Sequence, residues 1–349
     1  MKGFFAAILS LILIGAAVFG VLWFEYQGFL ATPITLPSEL ERTTEAPVFE
    51  IPRGTGLRAL AGRLVEDGLI EDAYFFIALA YQERLQGQIK AGEYALTDAM
   101  RPLDLLRLFA SGRSVQFPVT LIEGWTFRDA VASLADNDHL RLELTGLPEI
   151  EIMQRLGIDE PHPEGWLFPD TYMVSRASTD VAVLKRAHAR MQQVLREEWE
   201  QRADGLPIET PYEALILASI IEKETGQAEE RPEIAGVFVR RLQRGMRLQT
   251  DPTVIYGMGD DYDGVIRRSD LQRATPYNTY VIDGLPPTPI ALPGREAIHA
   301  ALHPADGETL YFVSRGDGSH HFSPTLEEHN CAVRYYLRGG RCSLFEDAP

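Results

Sequence analysis

The sequence is poor in cysteine and in positive charge, and it lacks most of the short motifs that announce a cofactor or a nucleophile. Cys331 and Cys342 are its only cysteines. Two are too few for a disulfide framework, and no Cys-x-x-Cys spacing suggests zinc or redox chemistry; whether they form one bridge turns on which side of a membrane they lie. Lys and Arg number 33 against 50 Asp and Glu, a formal net charge of −17. That balance offers no basic face to neutralise phosphates, which argues against a nucleic-acid partner, and none to draw the chain onto anionic lipid. An uncharged or zwitterionic glycan remains compatible. Gly-x-x-x-x-Gly-Lys, Gly-x-Ser-x-Gly and His-Glu-x-x-His are all missing, so no phosphate loop, serine-hydrolase elbow or zinc-protease helix is expected. His320 and His321 with His329 have no acid cluster at ligand spacing, so surface or packing roles are expected of the histidines, with no metal site. No cofactor is expected.

Charge is also absent from Phe4 to Phe24. About 21 apolar or small residues at ~1.5 Å rise cross a ~30 Å hydrocarbon core, and Trp23, Phe24 and Tyr26 close the run as an interfacial aromatic belt. The run is long for a signal-peptide core and lacks a small-x-small cleavage site, so residues 1–25 read as a retained, single-pass anchor. No cysteine follows for lipid attachment. Lys2 and the amino terminus before the run, with Glu25 after it, place the N-terminus in the cytoplasm and the body on the outer, periplasmic face of the inner membrane. Residues 26–47, with Pro33, Pro37 and Pro47 and no helical period, read as a linker.

At 349 residues the chain has room beyond the anchor for two folded units, since single cores stop growing at about 250–300 residues. The first is expected over 48–115. Val48 to Ile51 alternates as a strand, Leu57, Leu60, Ala61, Leu64 and Val65 recur at helical spacing, Phe75, Phe76, Leu79 and Ala80 mark a second helix, and Glu93 to Leu96 returns as a strand. This βααβ layout resembles the LysM glycan-binding module, with a structural spacer as the alternative. Leu121 to Arg128 aligns without gaps onto Ile51 to Arg58, a weak repeat of strand turning into helix. The larger unit, 116–349, reads as mixed α+β: helices over 181–199 and around 234–242, and short strands at Leu310–Val313 and around His321, suited to antiparallel pairing. Arg240, Arg241 and Arg244 are expected to face water. The aromatic run Glu164–Tyr172 reads either as core or as a cleft wall.

The most informative stretch is Thr210 to Gly226. Thr210 reads as an N-cap, Pro211 as the first helical residue and Glu213 as the partner that returns a bond to the cap, while Gly226 reads as a left-handed stop. Ala214 to Ile221 is apolar all round, with only Ser219 interrupting, so the helix is expected to be buried on every face. It ends in Glu222-Lys223-Glu224. Such a triplet can be a solvated, frayed turn; at roughly 100° per residue, however, Glu222 shares a stripe with Leu215, Ala218 and Ser219, and Glu224 falls on nearly the opposite side with Leu217, Ile220 and Ile221. A carboxyl at the edge of so apolar a helix holds its proton tightly, as a general acid must. Glu222 is the one that the apolar stripe singles out.

Further along, Arg247 to Gly257 reads as a polar turn stopped by Pro252, where Asp251 is either a site residue or the cap of its own loop. Tyr277-Asn278-Thr279-Tyr280 gathers amide, hydroxyl and aromatic groups of the kind that bind sugars. Together with Ala218–Thr225, Met246–Thr253 and Gly284-Leu285-Pro286-Pro287, these residues resemble the YceG-like family of endolytic murein transglycosylases. The resemblance implies a lytic, endolytic cut of the MurNAc–GlcNAc bond that leaves 1,6-anhydro-MurNAc and can terminate nascent strands. It further implies Glu222 as the catalytic acid, Gln249, Asp251, Thr253, Tyr277, Asn278 and Tyr280 as substrate-binding residues, peptidoglycan strands as substrate and penicillin-binding-type synthases as partners. One carboxyl suffices if the muramic acid's own 6-hydroxyl attacks, because the residue that gives its proton to the leaving oxygen can take one back. The competing reading is a non-catalytic envelope protein that binds peptidoglycan or a synthase. It needs no acid at the end of a buried helix.

Overall fold

The computed structural model describes residues 2–36, 42–43, 46–176, 178–342 and 345. The chain divides into two compact units, Met1–Phe117 with Met173–Ala177, and Pro118–Tyr172 with Ser178–Pro349. Both mix helices with short strands, and the fold is α+β.

The first unit opens with α1 (Lys2–Ala31), the single helix among the described residues that is long and apolar enough to cross a membrane, over Ile8–Ala31. Trp23 and Phe24 are exposed, but Tyr26 and Phe29 are buried. The Tyr26 ring meets Phe75 edge-on at 5.6 Å and its hydroxyl donates to Gln82 Oε1 at 2.9 Å. Tyr26 therefore belongs to a protein core and not to a lipid-facing belt. The stretch expected as linker, 26–47, is folded in part: helix runs to Ala31, Ile34 is buried, and β1 (Arg42–Thr43) pairs with β2 (Ala46–Ile51). Pro37 lies outside the described residues. Then come α2 (Leu57–Glu66), α3 (Ala73–Gln82), β3 (Gly92–Ala95) and α4 (Pro102–Ser111), with β2 and β3 antiparallel and Phe49 opposite Tyr94. The alternation of strand residues buries Phe49 and Ile51, and the helical spacing buries Leu60, Ala61 and Leu64 against them. Phe109 of α4 completes the centre, 5.8 Å from Phe49 and 4.9 Å from Tyr94.

Elements β4 (Phe117–Thr120), α5 (Phe127–Ala135), α6 (Glu149–Leu156) and β5 (Thr171–Val174) follow, with β4 paired to β5. The weak repeat is visible as structure: β2 into α2 and β4 into α5 are both strand–turn–helix, with Gly54 and Gly124 at matching positions in the left-handed region, φ 82° and 77°. The rest of the second unit is α7 (Asp180–Glu200), α8 (Pro211–Glu224), α9 (Arg231–Gln243), α10 (Asp251–Met258), α11 (Arg295–Leu302), the antiparallel hairpin β6 (Tyr311–Ser314) and β7 (His320–Ser323), and α12 (Leu326–Arg338). Cys331 and Cys342 are joined, closing a separation of 11 residues at the end of α12. The aromatic run after Glu164 is core, with Trp166, Leu167 and Phe168 all buried.

α8 is the axis of this unit. Every residue from Ala214 to Ile221 is buried, with α7, α9, α10 and α11 packed around it. Ser219 is tolerated there because its hydroxyl donates to Ile216 O at 2.7 Å and accepts from Ile290 N at 2.9 Å. The start follows the expected chemistry: Thr210 Oγ1 accepts from Glu213 N and the Glu213 carboxylate returns to Thr210 N. The stop differs. The chain leaves the helix through Thr225 in extended conformation, φ −143°, and Gly226 is not left-handed.

Two other local readings are corrected. Pro252 does not stop a turn but sits in the first turn of α10, where a missing N–H costs nothing. Arg241 is buried: its guanidinium donates to Leu310 O at 2.7 Å and Leu248 O at 2.8 Å, while Arg240 donates to Ala305 O and Thr309 O. Orphan carbonyls at the entry to the hairpin supply the acceptors that water was expected to provide.

Thr210→Ala removes the cap and is expected to cost about 0.5–2 kcal/mol, whereas Gly226→Ala, at a position with ordinary φ and open space for a Cβ, is expected to stay within about 0.5 kcal/mol of the parent. Chemical unfolding of the two variants checks both; a large loss at Gly226 would restore it as the helix stop.

Candidate active site

The two glutamates of the triplet leave α8 in different directions, as 3.6-residue geometry requires, and they meet different company. Glu222 is buried, its side chain 5% exposed. Gly294 N, at the start of α11, donates to its Oε2 at 2.9 Å, and Arg231 of α9 approaches its Oε1 at 3.3 Å. Glu123 approaches the same Nη2 of that guanidinium at 3.8 Å. Burial raises the Glu222 pKa, while the Gly294 amide and Arg231 oppose the rise. With one oxygen on an amide and the other on a buried cation, this carboxyl clamps α8, α9 and α11 together.

Glu224 turns the other way, into a cleft of about 310 Å³ lined by Arg241, Leu248, Gln249, Asp251, Tyr280, Tyr311, Phe312 and His329. The Thr250 hydroxyl donates to it. Burial pushes its carboxyl up to about 7, and the nearby Asp251 carboxylate adds to the rise against the Thr250 bond, His320 and Arg241. Near neutral pH it thus populates both protonation states. Asp251 opens α10 and accepts from Tyr280 OH at 2.6 Å. Burial keeps that phenol protonated. Gln249 is held at φ 51°, in the left-handed region that a side chain rarely adopts, with its N–H on Thr279 O at 3.2 Å. Such a conformation persists only where the surroundings over-determine it. Tyr280, Tyr311 and Phe312 bring aromatic rings to the cleft lining, the Tyr311 ring stacked with His329 at 5.3 Å and 5.0 Å from the Arg241 guanidinium.

Of the residues read from the sequence, Gln249, Asp251 and Tyr280 are thus brought together with Glu224 and not with Glu222. Thr253 is fully buried and bonded to Thr250 O and Thr279 Oγ1. Asn278 is buried too; its amide donates to Asp270 O and Arg273 O and its Oδ1 accepts from Tyr280 N, which fixes the loop that carries Tyr280. Tyr277 packs edge-on against Tyr256 at 4.9 Å and bonds Thr288. These three shape the wall from behind. Arg241, Tyr311, Phe312 and His329 were not legible as site residues, because they arrive from α9, β6 and α12 with no local pattern to mark them. A further carboxyl escaped notice: Glu164, buried, takes Phe127 N at 2.8 Å and Tyr256 OH at 3.0 Å and is pushed up to about 7 by burial. It caps the start of α5.

Fold and site together define an α+β protein with a membrane-length helix and a cleft built round a desolvated carboxyl. The chain belongs to the YceG-like family, whose model matches residues 49–335. It is 30% identical over 318 residues to the endolytic murein transglycosylase of Bacillus subtilis, covering 86% of this chain and 87% of that one. The endolytic murein transglycosylase of Streptococcus pneumoniae is 27% identical over 323 residues, 82% of this chain and 58% of the relative. A crystal structure of a YceG-like protein from Listeria monocytogenes superposes with a TM-score of 0.52 at 27% identity, covering 82% of this chain and 99% of that one.

The raised pKa of Glu224 has a consequence for stability. Between 4.5 and about 7 the folded state holds a proton that the unfolded chain has lost, so stability falls as pH rises through that window. Glu224→Gln keeps the shape and cannot ionise. It is expected to be more stable than the parent by about 1–3 kcal/mol at about pH 8 and nearly equal to it at about pH 5. Thermal unfolding at the two pH values checks this; a variant destabilised at both would mean that the carboxylate is the form the fold prefers.

Proposed function

We propose that the protein is a membrane-anchored lytic transglycosylase of peptidoglycan with Glu224 as its acid and base. The carrying observation is the company of Glu224: a carboxyl with its pKa near neutrality faces a cleft lined by hydroxyl, amide and aromatic groups, whereas Glu222 is engaged by Arg231 and Gly294. Protonated Glu224 gives its proton to the oxygen between MurNAc and GlcNAc, the C1–O bond breaks, the muramic 6-hydroxyl attacks C1, and its proton returns to Glu224. The products are a free 4-hydroxyl on GlcNAc and a 1,6-anhydro ring. Neither water nor a second carboxylate is consumed, which is what separates this route from hydrolysis by a carboxylate pair. Gln249 and Tyr280 orient the sugars in this reading, and Thr253, Tyr277 and Asn278 act through the loops they fix.

The names of the relatives support an endolytic cut. The βααβ order of the first unit supports a LysM-like glycan contact, and α1 supports retention at the cytoplasmic membrane with the N-terminus inside and the cleft outside. The Cys331–Cys342 bridge fits that oxidising side. Held there, the enzyme meets strands as synthases of the penicillin-binding type release them, and it can end their growth.

Wild type, Glu224→Gln and Glu222→Gln, incubated with purified peptidoglycan and analysed by mass spectrometry for anhydro-muropeptides, test the assignment. Glu224→Gln is expected to lose at least about 10²-fold in rate. Glu222→Gln is expected to remain within about tenfold while losing stability. A dead Glu222→Gln beside an active Glu224→Gln would return the role to Glu222, and products heavier by one water would make the enzyme a hydrolase. A periplasm-active reporter fused after Pro349 tests orientation: it is expected to work, and silence would overturn the topology.

A further inference from the structure

Away from the cleft, α11 and α7 bring together a cluster that the proposed chemistry does not use. His299 lies in the last turn of α11 and His303 is the non-helical residue that ends it, its N–H donating to His299 O at 2.7 Å; their imidazoles are nearly parallel, with centroids 4.4 Å apart and 27° between the rings. Glu198 of α7 faces them. It is buried, and its two oxygens are divided: Oε1 accepts from Arg295 Nη1 at 2.5 Å and Oε2 lies 2.8 Å from His299 Nδ1. The other arm of Arg295 holds Glu197 at 2.5 Å. One donor atom each from Glu198, His299 and His303 lies within 4.8 Å of the other two.

We propose that Glu198, His299 and His303 form a binding site for a zinc-class divalent cation that ties α7 to α11. Two imidazoles at i and i+4, one from the last turn of α11 and one from the residue that ends it, and a carboxylate from the helix opposite are a three-ligand donor set, and it leaves a further position for water. Nitrogen donors favour zinc and its first-row neighbours over magnesium or calcium, which take oxygen. A tetrahedral ion about 2.0–2.1 Å from each donor needs the donors roughly 3.4 Å apart, so small rotations of exposed His299 and half-buried His303 about a fixed Glu198 must open the 2.8 Å Glu198–His299 pair and bring the remaining separations, all within 4.8 Å, to that value. Arg295 does the fixing. It occupies Oε1 and leaves Oε2 directed at the imidazoles, the part that an outer-shell partner plays in metal sites. It does not reverse the charge, because two carboxylates against one guanidinium leave the cluster net negative before any ion enters.

In the ion-free cluster His299 Nδ1 and Glu198 Oε2 face each other at 2.8 Å; an ion between them takes a lone pair from each, and any proton held there is displaced to solvent. The ion would stiffen α11, whose first residues include the Gly294–Arg295 pair that contacts Glu222 and Glu198. Metal patterns read along the chain miss the site because its ligands are about a hundred residues apart, with only the His-x-x-x-His spacing at the end of α11 to mark it.

The test uses the full-length protein in detergent, free of any polyhistidine tag and stripped with chelator. ZnCl2 is titrated calorimetrically and in thermal unfolding, and Co²⁺ is added to read ligand geometry by absorption. One saturable site, a raised Tm and intense tetrahedral cobalt bands are expected. His299→Ala and His303→Ala are each expected to weaken binding about 100-fold and to abolish the Tm rise, and Arg295→Lys to weaken it about tenfold. Both histidines are at least partly exposed, so circular dichroism should show the variants folded. No saturable binding below ~100 µM, or binding unchanged in both histidine variants, overturns the site. None of these readouts depends on glycan cleavage, so the site and the proposed reaction stand or fall separately.

Discussion

The second unit depends on a helix that has no polar face. Because Ala214 to Ile221 are all buried, α8 must be enclosed by other helices, and its polarity is confined to its ends. At the N-terminus the Thr210–Glu213 box satisfies the free amides. At the C-terminus two carboxyls sit where the helix dipole is negative, a place where ionisation is disfavoured even before burial is counted. Each therefore needs help or stays protonated. Glu222 finds a guanidinium and an amide, and Glu224 finds a hydroxyl and another carboxylate. The difference between the two carboxyls is made by these neighbours, since the helix treats both glutamates alike.

That division explains what could be read from the sequence. Helical arithmetic separates the two glutamates, and cap chemistry places the start of α8 to the residue. The arithmetic is silent about partners. Arg231 and Gly294 come to Glu222 from 9 and 72 positions away, Thr250 and Tyr280 to the Glu224 side from far downstream, and nothing in the local pattern says which carboxyl each will meet. The apolar stripe beside Glu222 reports burial, and burial is as characteristic of a structural ion pair as of an acid.

Three segments depart from their local pattern for one reason, which is that a residue type has uses beyond its commonest one. Gly226 reads as a left-handed stop, although an extended residue at 225 ends the helix equally well. Pro252 reads as a breaker, although its preferred place is a first turn. Arg241 reads as solvated because its helix is amphipathic, yet free carbonyls around Leu248 and Leu310 make a buried guanidinium the better solution. The anchor reading holds for the apolar run itself and changes at its far end. Tyr26 and Phe29 carry the helix into the core of the first unit, so the junction is a packed helix where prolines suggested a coil.

The cleft shows how a single titratable group can be kept ready near neutral pH. Full neutralisation of Glu224 by a close cation would lower its pKa and leave nothing to donate; enclosure with no partner would lock the proton on. Arg241 is the only lysine or arginine among the described residues lining the cleft, and its Nε and Nη1 groups donate to the carbonyls of Leu310, Leu248 and Arg247. Its charge is felt at Glu224, but its hydrogen bonds go elsewhere. Asp251, bound to Tyr280, pushes in the opposite direction. The arginine that holds the hairpin to α9 thus also sets an upper bound on how tightly Glu224 keeps its proton, and the fold and the site cannot be tuned independently of each other.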